Sequence, residues 1–96
     1  MTADTYQGPA TLVAGEVRLD VRVALGGQFD PLAGGYRWFG RVDGPAGVIA
    51  EVATLLRAGQ REVTLAIGER AATGTLREVD AWGGCRITGG GAPPFR

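Results

Sequence analysis

In Glu16–Leu25, EVRLDVRVAL, an apolar side chain stands at every second position: Val17, Leu19, Val21, Val23 and Leu25. Glu16, Arg18, Asp20, Arg22 and Ala24 fill the places between them. A period of two belongs to an extended strand with one buried face and one wet face. The preceding TLVAGEV reads as a hairpin around Ala14-Gly15, where glycine supplies the positive φ of a tight turn. Residues 1–5 read as a frayed start.

The same logic organises the rest of the chain. GGQFDPLAGG reads as a turn-rich approach, with Asp30-Pro31 shaping the turn, and it introduces a strand over Gly35–Val42. On that strand Tyr36, Trp38, Gly40 and Val42 share one face, while Arg37, Phe39 and Arg41 share the other. Phe39 between two arginines does not fit an ordinary wet face, so a neighbouring element, a second subunit or a ligand is expected to cover it. In VIAEVATLLRAG the apolar positions Val48, Ile49, Val52, Leu55 and Leu56 recur at three and four, which predicts a short helix ending at Gly59.

Three further strands are expected after it. Val63, Leu65 and Ile67 alternate, a turn near Gly68-Glu69 follows, and AATGTLREVDA slips its alternation between Leu76 and Val79 as a bulge does. CRITG then places Cys85 and Ile87 on one face. The tail GGGAPPF, rich in glycine and proline, is expected to lie across the surface. The predicted fold is mainly β: a small antiparallel barrel or strongly curved sheet of six to seven strands, with at most one short helix, forming a single domain over residues 6–95. Closure removes the exposed edges that a 96-residue open sheet carries.

Composition narrows the chemistry. Ten basic residues balance ten acidic ones, without the clustered cations that nucleic-acid phosphates require. The chain has no histidine, serine or lysine, which removes imidazole bases, histidine metal ligands, serine nucleophiles and Schiff-base chemistry. The lone Cys85 makes no internal disulfide or zinc-thiolate cluster and reads as a small buried hydrophobe. The first residues show no basic region followed by an apolar run, and no 18-residue apolar stretch occurs. Neither a signal peptide nor a membrane span is therefore expected, and a cytoplasmic protein without a membrane partner is. No cofactor or metal is expected either.

What remains is carboxylates, guanidinium groups and rings. Glu78 and Asp80 share strand parity and are the candidate catalytic acid and base. Arg37, Arg41 and Arg86 offer guanidinium forks for a carboxylate or phosphate. Tyr36, Trp38, Phe39 and Trp82, with Arg37 and Arg41, are the candidate ligand-binding residues, since aromatic walls stack on flat organic molecules.

The combination YxGPATLV, GxFDPxxGxYRWFGR, EVDAWG and a terminal GxGxPPF resembles a small actinobacterial domain family of unknown function, found alone and attached to flavin-containing monooxygenases. Tyr6, Gly8, Phe29, Pro31, Gly34, Tyr36, Trp38, Gly40, Arg41, Trp82, Pro94 and Phe95 carry the resemblance. Members often have Tyr where this chain has Phe39, which weakens proton chemistry at that position. The resemblance implies oxidative or secondary metabolism as a neighbourhood and supplies no catalytic residues. The expected function is a small-molecule-binding or accessory domain; the alternative is a compact cofactor-independent isomerase or cyclase. The expected partners are a small organic ligand, a flavin-dependent enzyme, or a second copy of the chain.

Overall fold

The computed structural model describes residues 4–32 and 34–95. Six strands and one helix follow in chain order: β1 (Asp4–Ala14), β2 (Val17–Asp30), β3 (Gly35–Asp43), α1 (Ala46–Arg57), β4 (Glu62–Ile67), β5 (Arg70–Val79) and β6 (Cys85–Gly90). Neighbouring strands are antiparallel and close in the order β1-β2-β3-β6-β5-β4. Of the two forms expected, a small barrel or a strongly curved sheet, the chain takes the closed barrel, with six strands and one short helix. The expected bulge is present too, as a register shift between Leu76 and Val79 where β5 meets β6.

Inward-facing apolar side chains fill the barrel. Leu12, Trp38, Val42, Leu65, Leu76, Cys85 and Ile87 are fully buried, and among the described residues no charged or polar residue is. Trp38 is the largest of them and sets the local design. Its cross-strand neighbours are Gly27 on β2 and Gly89 on β6. A Cβ on Gly89 would overlap Trp38 Cε2, and one on Gly74 would come within 2.8 Å of Cη2. Glycines therefore line the indole's slot because no other residue leaves room for it. Trp38 Nε1 has no acceptor among the described residues, a cost of about 1–3 kcal/mol that burial of so large a ring offsets.

The helix plugs one end of the barrel by packing Ile49 and Val52 inward, against β2 and β5. It begins two residues before the predicted Val48, after Pro45. At its other end the Gly59 N–H donates to Leu56 O at 3.0 Å and the Gln60 N–H to Leu55 O at 2.9 Å, with Gly59 at φ 85°. Those paired bonds are a Schellman stop, and they satisfy carbonyls that the helix leaves open.

Four expectations need correction. The hairpin turn is Gly15-Glu16, one residue later than expected, because Ala14 still pairs with Val17. β1 starts at Asp4, so residues 4 and 5 belong to the sheet rather than to a frayed start; residues 1–3 lie outside the described residues. Gly26–Asp30 is not turn but the end of β2, paired with Gly35–Phe39. Gly27 has a packing purpose: a Cβ there would sit 2.6 Å from the Tyr36 ring.

The tail does not simply cross the surface. Pro93 and Pro94 are buried. Phe95 stacks on Tyr6 with ring centroids 6.2 Å apart. The β1–β4 seam pairs only Thr11–Val13, and the tail docks beside the part of β1 that β4 does not reach. Two prolines and a ring exclude water there without needing strand hydrogen bonds.

Candidate functional site

The pleat of β3 turns Arg37, Phe39 and Arg41 away from the core, onto the outer wall that β2, β3 and β6 share. Register decides their neighbours. Phe39 lies between Gly26 and Thr88, and Arg41 lies between Ala24 and Arg86. Small residues thus flank Phe39 on both sides. Phe39 stays 48% exposed.

Arg41 is the best-anchored polar group on this wall. Its Nε donates to Asp80 Oδ2 at 2.7 Å and its Nη2 to Asp80 Oδ1 at 3.0 Å, a two-pronged charge-assisted contact. Its Nη1 reaches Asp43 Oδ2 at 3.3 Å. Asp80 Oδ1 also accepts the backbone N–H groups of Trp82 (2.9 Å) and Gly84 (3.0 Å). One carboxylate therefore shapes the β5–β6 turn and ties it to β3. Gly84 is part of this arrangement, since a Cβ there would overlap the Arg41 guanidinium.

The electrostatics follow from the geometry. The Arg41 hydrogen bonds, followed by the Gly84 and Trp82 amides, hold the Asp80 carboxyl far below the usual carboxylate range despite partial burial. Reciprocally, the Asp80 hydrogen bond pushes the Arg41 guanidinium up. Such an aspartate stays ionised from neutral into clearly acid solution. It is suited to holding a cation in place, and poorly suited to passing a proton near neutrality.

The structure therefore sorts the residues singled out in the sequence. Phe39, Arg41 and Asp80 come together on the outer wall. Arg37 is beside them, paired with Asp30 at 3.5 Å. Trp38 is in the core at 1% exposure, and Tyr36 is half-buried over Gly27. Glu78 is exposed in the bulged part of β5, and Trp82 stands 84% exposed in the turn that Asp80 organises. Cys85 is buried, and that burial pushes its thiol up, as expected of a packing residue.

Asp43, Gly84 and Thr88 join the site without having been picked out. Gly84 touches Arg41 only through tertiary folding, whereas Asp43, two residues further along β3, shares the face of Arg41 by strand parity. Thr88 had a sequence signal: it shares parity with Arg86, opposite the buried Cys85 and Ile87.

Open grooves surround Phe39. One of about 300 Å³ runs between Ala24, Phe39, Arg41, Asp80 and Arg86. Another of about 410 Å³ lies on the Arg37 side and shares Phe39, Arg86 and Thr88. A third, of about 350 Å³, extends toward Thr5 and Gln7 on β1. A fourth, of about 430 Å³, sits between Arg22, Arg41, Asp43 and Pro45 and has no aromatic wall. Among the described residues no group of three or more His, Cys, Asp or Glu is placed to hold a metal ion. Likewise, no helix there is long and apolar enough to cross a membrane.

Comparison with known proteins places this architecture in a lineage. No solved structure matches the chain. Uncharacterized proteins of Mycobacterium bovis and of two strains of Mycobacterium tuberculosis are each 36% identical over 91 residues, covering 95% of this chain and 25% of the relative. The chain thus spans about a quarter of the length of the curated relatives it matches. These relatives agree with the actinobacterial resemblance noted above. A family model matches residues 3–96, and the chain belongs to that family, described as a domain of unknown function (DUF4873).

Proposed function

We propose that this domain is a non-catalytic binding or accessory module of oxidative or secondary metabolism, working through the outer wall of β2, β3 and β6. The observation that carries the reading is the division of the barrel. Among the described residues its interior is occupied by apolar side chains, with no charged or polar side chain buried there. Outside, the acid best placed to act is committed to Arg41 and to two backbone amides. Glu78 lacks the enclosed surroundings that tune a carboxyl for proton transfer. Phe39 and Trp82, by contrast, offer exposed aromatic surface of the kind that recognition sites use.

The partner class favoured here is a flavin-dependent enzyme of the same cytoplasmic pathway, on the strength of the motif resemblance. That the matched region is a quarter of each mycobacterial relative supports a domain that works beside other protein. Self-association through the Phe39 face is a second reading, favoured by the exposure of that ring. A monomeric mass across micromolar concentrations in light scattering removes it.

The deciding experiment is mass spectrometry of the protein isolated under mild conditions from its producing cells. A retained organic molecule, returned unchanged after incubation with fresh protein, is the expected result. Conversion of that molecule by the domain alone, lost in Glu78→Gln or Asp80→Asn, would overturn the accessory reading in favour of a compact isomerase or cyclase.

A further inference from the structure

The guanidinium groups on the outer wall are not equivalent. Arg41 has two carboxylates, Asp80 and Asp43. Arg37 has Asp30. Arg86 has no side-chain partner among the described residues, although it faces Arg41 directly across the β3–β6 ladder. Two like charges placed opposite one another on one face of a sheet repel. The carboxylates that relieve this repulsion are held on Arg41, so the Arg86 charge remains unmatched.

Its surroundings specify what would match it. Arg86 and Thr88 stand on the same wall as Phe39, with Thr88 the direct cross-strand neighbour of Phe39 and Arg86 the diagonal one. Diagonal neighbours on a sheet lie about 7–8 Å apart, close enough for one small molecule to touch both. The grooves on the two flanks of the Phe39 ring, about 300 and 410 Å³, both include Arg86 and Thr88. Volumes of that order hold a small organic molecule. Among the described residues Arg22 also lacks a side-chain counter-charge, but its groove has no ring to stack on.

We propose that Phe39, Arg86 and Thr88 form a binding site for a planar aromatic monocarboxylate. The ring of the ligand lies along Phe39, its carboxylate takes the Arg86 guanidinium, and the Thr88 hydroxyl donates to the same carboxylate. A flat ring suits the exposed face of Phe39, where an aromatic pair gains more than its buried area alone. A single negative charge suits a groove with one unmatched cation, since the Asp80 carboxylate lines the same groove and repels a second anionic charge. This proposal gives the ligand class for the wall named under the proposed function and rests on that reading.

The test is titration of the protein with 2-naphthoate, followed by calorimetry and by backbone amide NMR. Cyclohexanecarboxylate, 2-naphthalenemethanol and inorganic phosphate serve as the non-aromatic, uncharged and ring-free arms. Saturable naphthoate binding is expected, with shifts centred on residues 39–40 and 86–88 and weaker binding in every control arm. Arg86→Gln is expected to weaken naphthoate about tenfold, as loss of a charge-assisted bond does. Phe39→Leu should weaken it about threefold or more by removing the ring. Arg22→Gln should leave it unchanged.

All three substituted residues are exposed, and the amide spectra report whether each variant is folded. No saturable binding below roughly 10 mM, equal affinity in Arg86→Gln, phosphate binding as tight as naphthoate, or shifts centred on Arg22 and Pro45 would each overturn the site. None of those outcomes bears on the accessory reading, which falls only if a retained ligand is chemically converted by the domain.

Discussion

The two faces of β3 are built on different principles, although they alternate residue by residue. Inward, Trp38 and Val42 are enclosed, and the glycines beside Trp38 are dictated by the volume of one indole. Outward, Arg41 is fixed by charge-assisted hydrogen bonds to a turn 39 residues away. Phe39, two positions off, stays exposed, and Arg86, directly across on β6, has no side-chain partner among the described residues. The inner face is a volume problem already solved. The outer face is a charge and surface problem solved at one position and left open at the next. Changes inside should therefore register as stability, and changes outside as recognition.

Substitution of the core ring tests the first half of that statement most severely. Trp38→Ala is expected to cost about 3–5 kcal/mol in urea unfolding, the range for removing a large buried aromatic. Trp38→Phe should cost clearly less, because it keeps an aromatic ring and removes the unpaired Nε1. A cost for Trp38→Ala near that of a surface substitution would break the comparison outright.

Filling the slot is the converse experiment. Gly89→Ala is expected to destabilise by about 1–3 kcal/mol through overpacking, since its Cβ would overlap the indole. Gly90→Ala, one residue along and with nothing near its Cβ, should change stability by no more than about 0.5 kcal/mol. Equal losses at the two positions would mean that strand backbone, rather than the shape of the slot, governs β6.

A smaller effect, and one that depends on pH, is expected at the ion pair. Asp80→Asn should lower the melting temperature at neutral pH, by weakening the contact to Arg41 and loosening the β5–β6 turn. The folded carboxyl sits far below its unfolded value, so it binds a proton less readily in the native state. Its contribution to stability is therefore complete above the unfolded pKa, about 3.9, and is lost as pH falls toward the folded one. The gap between parent and variant should stay constant from neutral to about pH 5 and shrink below about pH 4. A gap that changed near neutrality would mean the carboxyl titrates there, and would reopen the acid–base role.

The least change in stability is expected on the outer wall itself. Phe39→Leu should shift unfolding by no more than about 0.5 kcal/mol, as exposed positions do, while reducing naphthoate binding. A large loss of stability would show that the ring is structural after all, and would erase the distinction between the two faces.

How much of this could be read beforehand depended on whether the cause was local. The Val17–Leu25 alternation, the helix from its three-and-four spacing, and the slip between Leu76 and Val79 were all legible, because each comes from the chain's own period meeting one buried side. That Phe39 and Arg41 share one face of β3 was legible for the same reason; that this face points outward was not. Gly26-Gly27 was misread, since glycine signals turns in isolation and reveals a close approach only when the approaching ring is known. The tail was misread similarly: Pro93, Pro94 and Phe95 look like surface chain until the gap beside β1 is there to receive them.

Sequence alone, then, determined a mainly antiparallel β fold with one short helix and which residues share a face of each strand, because side-chain parity is set by backbone geometry within a few residues. Only the tertiary structure decided that Asp80 would be bound to Arg41 rather than free beside Glu78, and that Arg86 would have no counter-ion among the described residues. Those outcomes depend on strand order and cross-strand register, which bring together residues far apart in the chain.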